Sequence, residues 1–263
     1  MATVATEKSQ SLRSLERGMA VIQVFSRERP ALTLSEVARL TGTTRATARR
    51  ILLTLEKLGH VRSDGRLFSL TPRVLTLGWA YLASLNLSEL AEPLMEDLVE
   101  RTKESSSLAT LDPPDVVYVA RVPTRRIMTI ALGVGARLPA HATSMGRVLL
   151  AGLPEDELEH YLESTYLERF TENTITDPAE LRRAVEEVRE QGWALVDQEL
   201  ELGLRSAAAP ITRKPCGTIA AINVSAAAHR VTVEDFRARI LPALLETAEL
   251  ISAGVGPARP GHV

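Results

Sequence analysis

The chain has 263 residues, of which 45% are apolar, 24% are charged and 4% are aromatic. This composition excludes collagen-like, low-complexity and wholly disordered chains, and the length allows two domains. The single cysteine, Cys216, excludes a disulfide framework and a cysteine-built zinc site within one chain. The polar N-terminus and the absence of an apolar run of ~18 residues predict a cytoplasmic protein without a signal peptide or membrane span.

Charge divides the chain into two parts of opposite sign. Residues 1–73 contain 13 Lys and Arg against 6 Asp and Glu, which gives a net charge of +7. Residues 74–263 contain 18 basic against 27 acidic residues, which gives −9. A basic N-terminal part fused to an acidic remainder favours two domains with different partners, the first of them a polyanion.

Residues 1–10 are expected to form a disordered tail. Apolar residues at helical spacing then predict a first helix that ends before Pro30. Its predicted inward stripe consists of Leu15, Met19, Ile22 and Phe25. Thr33 and Glu36 form a capping-box pattern, which predicts a second, short helix ending at Gly42.

A third helix is capped by Thr43 or Thr44 and ends at Gly59. Its predicted inward stripe consists of Ala48, Ile51, Leu52, Leu55 and Leu58. Asp64-Gly65 between two strand-like runs then predicts a two-residue hairpin turn with positive φ at both residues. Over residues 11–71, this order of elements predicts a winged helix-turn-helix domain.

In such a domain the third helix enters the major groove of double-stranded DNA, where side chains near its N-terminus reach bases and phosphates. The hairpin reaches the DNA backbone or the minor groove. The predicted DNA-binding residues are Thr44, Arg45, Thr47, Arg49 and Arg50 of the helix and Arg62 and Arg66 of the hairpin. Alternatively, these arginines only solvate a surface helix, but spacing, caps, turn and charge all agree on DNA binding.

Residues 72–87 form a Leu-rich stretch that predicts a linker helix buried against a partner chain. A larger domain follows, over residues 88–253, and begins with a helix at about 88–103. Its predicted strands are residues 108–111, 116–122, 127–132, 193–196, 206–212 and 218–225, and its further predicted helices are residues 144–152, 155–163, 178–191 and 232–253. Because the strands come in groups, we expect an α+β fold with an antiparallel sheet. Residues 254–263 are expected to be disordered.

Several segments resemble the IclR family of bacterial transcriptional regulators. They are RATARR from Arg45, LPAHATSMG from Leu138, Asp197, GLRS from Gly203 and AINVS from Ala221. The runs LPAHATSMGRVLLA and GLRSAAAPI are most similar to Pca- and Pob-type regulators of aromatic-acid catabolism through the β-ketoadipate pathway. The resemblance implies a winged-helix domain, a dimerising linker helix and a GAF-like effector-binding domain. It also implies dimers or dimers of dimers on palindromic operators, with an effector that alters DNA affinity or RNA polymerase recruitment.

The resemblance also implies an effector site, with residues at Ser144, Met145, Asp197, Ser206, Asn223 and Ser225. Local patterns agree with it. Thr143 is placed to cap the helix at 144–152, whose free N–H groups suit a carboxylate. Asn223 and Ser225 lie two apart on a strand and share a side, and the same spacing adds Glu199 beside Asp197 as a candidate.

The carboxylate of Asp197 leaves two classes of effector open. A hydroxybenzoate would place its carboxylate at the helix N-terminus and donate its hydroxyl groups to Asp197. An aliphatic keto-diacid lacks those donors and would need a cation, for which Arg137 and Arg125 are the candidates.

The sequence leaves three other interpretations of the function open. A GAF-fold hydrolase or redox enzyme would use Ser144 or Ser206 with His141 and Asp197, but the chain has no G-x-S-x-G motif. A DNA-binding scaffold would sense no ligand, and an IclR-type regulator could respond to another small organic acid. The histidines and Cys216 lack metal-ligand spacing, so we expect no metal, no cofactor and no catalytic residue.

Overall fold

The computed structural model describes residues 12–26, 28–78, 87–124 and 133–255 of the chain. The chain divides into two compact units, Met1–Ser84 and Leu85–Val263. Within the described ranges, no helix is long and apolar enough to cross a membrane. The predicted N-terminal tail, the strand at 127–132 and residues 79–86 of the linker lie outside these ranges. So does most of the predicted C-terminal tail, although Gly254 belongs to the last helix.

The described part of the first unit contains three α-helices and a three-stranded antiparallel sheet, followed by a 3-10 turn (Pro72–Val74) and the helical residues 75–78. The helices are α1 (Arg13–Gln23), α2 (Leu34–Leu40) and α3 (Arg45–Lys57). The strands are β1 (Ala31–Thr33), β2 (Val61–Ser63) and β3 (Leu67–Leu70), in the order β1-β3-β2. A capping box of Thr33 and Glu36 starts α2, Thr44 caps α3, and Gly59 ends α3 with a positive φ. The predicted winged helix-turn-helix fold is confirmed.

The inward stripe of α1 differs from the predicted one. Val21 is fully buried, whereas Leu15 and Met19 are 63% and 45% exposed. Val21 and Phe25 share a helix face with position 18, and Leu15 and Met19 belong to the adjacent face. The apolar spacing therefore located the helix, and of the four predicted inward residues Ile22 and Phe25 pack against the core whereas Leu15 and Met19 do not. Leu58 of α3 is also exposed, because it is the C-cap residue and lies beyond the last turn.

The hairpin turn is displaced by one residue from the predicted one. The N–H of Asp64 donates to the carbonyl of Leu67 at 3.2 Å, so Gly65 and Arg66 occupy the turn and only Gly65 has a positive φ. Asp64 Oδ1 accepts the N–H groups of Leu67 at 2.7 Å and Arg66 at 2.9 Å. These two bonds lower the pKa of the Asp64 carboxyl and hold the entry to the turn.

The second unit is built on a six-stranded antiparallel sheet with the order β6-β5-β4-β9-β8-β7. Its strands are β4 (Ser105–Asp112), β5 (Asp115–Val122), β6 (Arg137–Pro139), β7 (Ala194–Asp197), β8 (Leu204–Arg213) and β9 (Gly217–Ala227). Its helices are α4 (Leu87–Thr102), α5 (Ser144–Ala151), α6 (Glu155–Ser164), α7 (Pro178–Gln191) and α8 (Leu241–Gly254). A helical turn (Val233–Asp235) and a π-helical turn (Phe236–Ile240) precede α8. The predicted α+β class is confirmed, although β6 was not predicted.

The two faces of this sheet are covered by different helices. Helix α5 packs on one face with α7 behind it, and α4 and α8 pack on the other. Small side chains on the α5 face, among them Ala109, Ala208 and Ala221, let the helix approach the strands. At Gly146 a Cβ atom would lie 2.0 Å from the carbonyl oxygen of Ala140, so only glycine fits there. This close approach holds the N-terminus of α5 against the segment that joins it to β6.

Candidate functional site

The exposed face of α3 carries the predicted DNA-binding side chains. The Thr44 hydroxyl accepts the N–H of Thr47 at 3.2 Å and lies 3.0 Å from the Thr47 hydroxyl. Arg45 and Arg49 are one helical turn apart and exposed on one flank. Arg50 is also exposed and lines, with Thr47, the groove between α1 and α3. The helix therefore presents two basic flanks to a polyanion.

The hairpin supplies two further arginines in different settings. Arg62 lies opposite Ser69 in the β2–β3 register, and its Nε donates to the Ser69 hydroxyl at 3.2 Å. Arg66 lies in the turn itself and is exposed. The wing thus holds one arginine along its strands and one at its tip.

In the second unit, a cleft lies between the N-terminus of α5 and the sheet. Its polar lining includes Ser107, Arg121, Ser144, Ser206, Asn223 and Ser225. The register of five strands aligns the sheet residues in two adjacent rows. One row contains Ser105, Ser225, Ser206 and Val196, and the next contains Arg121, Ser107, Asn223 and Ala208. Because directly opposed side chains lie about 5 Å apart, the rows form a continuous polar floor.

Five of the predicted effector residues meet in this cleft: Ser144, Glu199, Ser206, Asn223 and Ser225. The Ser144 and Ser206 hydroxyls lie 2.9 Å apart and join α5 to β8. Asn223 Nδ2 donates to the Ser225 hydroxyl at 3.1 Å, and Asn223 Oδ1 accepts the N–H of Ser107 at 3.0 Å. The cleft therefore offers hydroxyl and amide groups that can both donate and accept hydrogen bonds.

Two predicted effector residues do not line the cleft. Met145 is fully buried in the hydrophobic core between α5 and the sheet. Asp197 accepts hydrogen bonds from Nε and Nη2 of Arg205 at 2.9 and 2.8 Å. The neighbour of Asp197, Val196, pairs with Ser206 on the cleft side, so Asp197 lies on the opposite face of the sheet.

The expectation that Asp197 and Glu199 share a side is wrong. Gln198 has φ of +60°, outside the strand region, so the alternation of side chains is broken after Asp197. Glu199 turns into the cleft, where its Oε2 accepts from Arg147 Nη2 at 2.5 Å and from the Ile175 N–H at 3.3 Å. The side chains of Arg147 and Glu199 are only 6% and 9% exposed. Sequence analysis missed this buried ion pair.

His141 occupies a structural position beside the cleft. Its Nε2 lies 3.0 Å from the carbonyl oxygen of Glu168, and its ring lies 5.9 Å from that of Phe170. Burial lowers the pKa of the imidazole, which favours the neutral form. Thr171 and Thr174 hydroxyls in the same segment donate to the carbonyl of Glu199. The segment at 168–174 is thereby hydrogen-bonded to both His141 and Glu199.

Arg121 is the charged cleft residue that sequence analysis missed, together with the polar residues Ser105, Ser107 and Tyr118. A shift of register between Leu108 and Ala109 brings Tyr118 and Arg121 to the same side of β5, although they are three residues apart. Burial raises the pKa of Tyr118 to about 12, so its phenol stays protonated. The available signal was a charged residue in an otherwise apolar strand, VVYVARV.

Of the two cations suggested for a keto-diacid, Arg125 lies outside the described residues. Arg137 lies on the edge strand β6, where its Nη1 is 2.5 Å from Asp112 Oδ2 and its Nε is 3.0 Å from Asp115 Oδ2. It does not line the cleft. The suggestion that Arg137 binds the effector is therefore unsupported by its position.

Comparison with known proteins assigns both units to one family. Residues 14–65 match the IclR helix-turn-helix domain, and residues 79–253 match the family described as bacterial transcriptional regulator IclR C-terminal. The chain is 45% identical over 235 residues to the Pca regulon regulatory protein of Pseudomonas putida, which covers 89% of this chain and 81% of that protein.

Solved structures agree with this assignment. A transcriptional regulator of Rhodococcus sp. RHA1 matches with a TM-score of 0.83 and 53% identity, over 93% of this chain and 98% of that one. An IclR homologue of Microbacterium hydrocarbonoxydans, complexed with 4-hydroxybenzoate, matches with a TM-score of 0.82 and 28% identity, over 92% and 98%. The chain belongs to the IclR family of bacterial transcriptional regulators.

Proposed function

We propose that this regulator controls genes of aromatic-acid catabolism in response to a small organic acid, in the manner of the β-ketoadipate-pathway regulators. The observation that carries the proposal is the polar cleft under α5 in a chain that also has a basic winged helix. Two relatives support the pathway. One is named for the Pca regulon, and another was solved with 4-hydroxybenzoate.

A hydroxylated aromatic acid of the protocatechuate or 4-hydroxybenzoate type fits the chemistry of the cleft best. Its ring packs against apolar lining residues such as Leu138 and Val196, and its oxygens meet the hydroxyl and amide groups of the floor. The free space in the cleft is about 40 Å³, whereas a benzene-sized ligand fills a cavity of ~150 Å³. Binding of an aromatic acid therefore requires the cleft to widen, and we propose that the bond between Ser144 and Ser206, which joins α5 to β8, opens in that step. A keto-diacid remains the second candidate effector.

We further propose that the cytoplasmic protein binds a palindromic double-stranded operator as a dimer or a dimer of dimers. In the described part of the linker at 72–78, Leu75 and Leu77 are 76% and 52% exposed, which favours burial against a second chain. Dimeric readers contact half-sites about one turn of DNA apart. Effector binding then changes operator affinity or RNA polymerase recruitment through a coupling of about 1–3 kcal/mol.

The contacts in the second unit favour ligand binding over catalysis. The Ser144 hydroxyl bonds to Ser206, His141 bonds to the carbonyl of Glu168, and Asp197 bonds to Arg205. The nucleophile, base and orienting acid of a hydrolase are therefore not assembled from these residues. We propose that the protein is not an enzyme and releases its effector unchanged.

A thermal-shift screen of the full-length protein tests the proposal. Protocatechuate, 4-hydroxybenzoate, catechol, muconate and β-ketoadipate are screened, and each hit is then added to a gel shift with DNA from upstream of the protein's own gene. We expect an aromatic acid to raise Tm and to change operator affinity. Failure of all five compounds to shift Tm would refute the sensor, and chemical turnover of a hit would favour an enzyme.

A further inference from the structure

Arg121 is the cation among the described residues that line the cleft. It lies on β5 directly opposite Ser107 on β4, and its side chain lines the space under α5. Within the described ranges, no carboxylate lies within ion-pair distance of its guanidinium. Arg137, Arg147 and Arg205 of the same unit each have such a partner. A partly buried guanidinium facing a ligand cleft favours an anionic ligand group as its partner.

The groups around Arg121 are neutral. Ser107 and Asn223 continue its row across the sheet, and Tyr118 stands beside it with a protonated phenol. The Asn223 amide is fixed by its bonds to the Ser107 N–H and the Ser225 hydroxyl. A carboxylate at this end meets hydrogen-bond donors and one positive charge, and no negative charge from the lining residues.

The opposite end of the cleft differs in charge. Glu199 lies there, beyond β7, and holds its carboxylate against Arg147. Strands β5 and β7 are four positions apart in the sheet, which corresponds to ~19 Å between their backbones. The N-terminus of α5 is near this end, but the Thr143 hydroxyl already accepts the N–H of Gly146. An anionic ligand group would gain less here than beside Arg121, because the charge of Arg147 is already compensated by Glu199.

We propose that Arg121 binds the carboxylate of the effector and orients the ligand in the cleft, with its hydroxyl-bearing edge toward Ser144, Ser206 and Glu199. This inference rests on the proposed function, since it specifies how an aromatic acid sits in the same cleft. It reverses the orientation expected from the sequence, in which the carboxylate meets the N-terminus of α5. The ligand class is an acid with one carboxylate and a hydrogen-bond donor at the opposite end.

Titration calorimetry on the full-length protein tests the orientation, with 4-hydroxybenzoate and its neutral analogue 4-hydroxybenzamide as probes. A charge-assisted bond predicts that the wild type binds the acid roughly 10- to 100-fold more tightly than the amide. In Arg121→Gln, we expect the affinity for the acid to fall to that of the amide, while the amide binds as in the wild type. Arg121→Lys keeps the charge and should keep part of the preference for the acid.

Arg137→Gln is the matched control, because Arg137 belongs to the neighbouring strand and its charge is already paired outside the cleft. It should keep the full preference for the acid. Persistence of that preference in Arg121→Gln, or its loss in Arg137→Gln, would overturn the inference and leave the proposed function intact. Loss of amide binding together with acid binding in both Arg121 variants would mean a structural role and would also overturn it. If the wild type binds neither probe, the aromatic effector of the proposed function fails together with the inference.

Discussion

The two units place their functional side chains in opposite ways. The candidate DNA-binding residues lie within residues 44–66 of the chain, and their arginines are exposed. The candidate effector residues are drawn from residues 107–225, and several of them, including Ser144 and Asn223, are buried. The periodicity of a helix is sufficient to expose the candidate DNA-binding residues of α3. The candidate effector residues can be brought together only by the pairing register of strands that are distant in sequence.

This difference has a consequence for mutations. An exposed arginine on α3 can be replaced with little effect on folding, because its side chain is not packed in the core of the first unit. A residue of the cleft also belongs to the packing between α5 and the sheet, so binding and stability change together there. Substitution of an exposed arginine should therefore change DNA binding alone, whereas substitution of a cleft residue should change effector binding and stability together.

The largest effect is expected for Gly146→Ala. Its Cβ would lie 2.0 and 2.4 Å from the O and Cα atoms of Ala140, which are backbone atoms and cannot move aside locally. Helix α5 must shift, so we expect a loss of roughly 3 kcal/mol or more in the free energy of unfolding, together with loss of effector binding. Chemical denaturation measures the first quantity and calorimetry the second.

Gly18→Ala is the matched substitution in the first unit. Nothing lies within 4 Å of its Cβ position, and Gly18 is inside α1. Replacing an interior helical glycine should stabilise the fold by about 0.5–1 kcal/mol. Equal destabilisation by the two substitutions would contradict the proposed tightness of the contact between α5 and the backbone of Ala140.

Arg50→Ala should weaken operator binding by roughly 5- to 100-fold, the range for one lost base or phosphate contact. Because Arg50 is exposed, we expect Tm and effector affinity to stay as in the wild type. Lys57→Ala is the control, since Lys57 is also exposed but lies at the C-terminal end of α3. Gel shifts with both variants measure the difference. The same affinity for both would remove α3 as the reading helix.

The sequence was most informative where structure is set locally. The capping box at Thr33, the cap at Thr44 and the glycine at Gly59 fix the ends of α2 and α3. From those ends, the helical period assigns the exposed arginines without knowledge of the rest of the fold. For α1, which has no capping side chain, the period alone was only half right: Phe25 packs against the core, but Leu15 is exposed and the buried Val21 was missed.

The cleft was predicted only where strand alternation is regular. Ser206, Asn223 and Ser225 lie inside long strands, and their predicted sides agree with the register. Alternation failed at Gln198, whose positive φ turns Glu199 inward, and at the register shift in the β4–β5 pair that brings Arg121 to the cleft. Both irregularities depend on contacts with distant segments, so the period of a single strand does not reveal them, and for β5 the available signal was the arginine in an apolar run.

A smaller effect should distinguish the two faces of the sheet. Ser206→Ala removes a cleft hydroxyl and should reduce effector affinity about fivefold, the equivalent of one hydrogen bond of about 1 kcal/mol. Ser106→Ala is the control. Its hydroxyl is buried and donates to the Asn223 carbonyl at 2.8 Å, and its position in β4 places it on the face away from the cleft.

We therefore expect Ser106→Ala to lower the free energy of unfolding by about 1 kcal/mol and to leave effector affinity unchanged. Calorimetry and chemical denaturation are applied to both variants. A loss of affinity in Ser106→Ala as large as that in Ser206→Ala would show that affinity follows general stability and would contradict the assignment of the cleft face.

The smallest effect concerns pH. Burial lowers the pKa of His141 in the folded protein below its usual value of about 6.5. As the pH falls through 6.5, the unfolded chain binds a proton that the folded chain does not, so the fold loses stability until the pH passes the lowered pKa. Between pH 7.5 and 5.5, Tm should therefore fall further in the wild type than in His141→Gln. His160→Gln, which changes an exposed histidine of α6, should follow the wild type. Identical pH profiles for the wild type and His141→Gln would show that protonation of His141 does not oppose the contact between the α5 end of the cleft and the segment at 168–174.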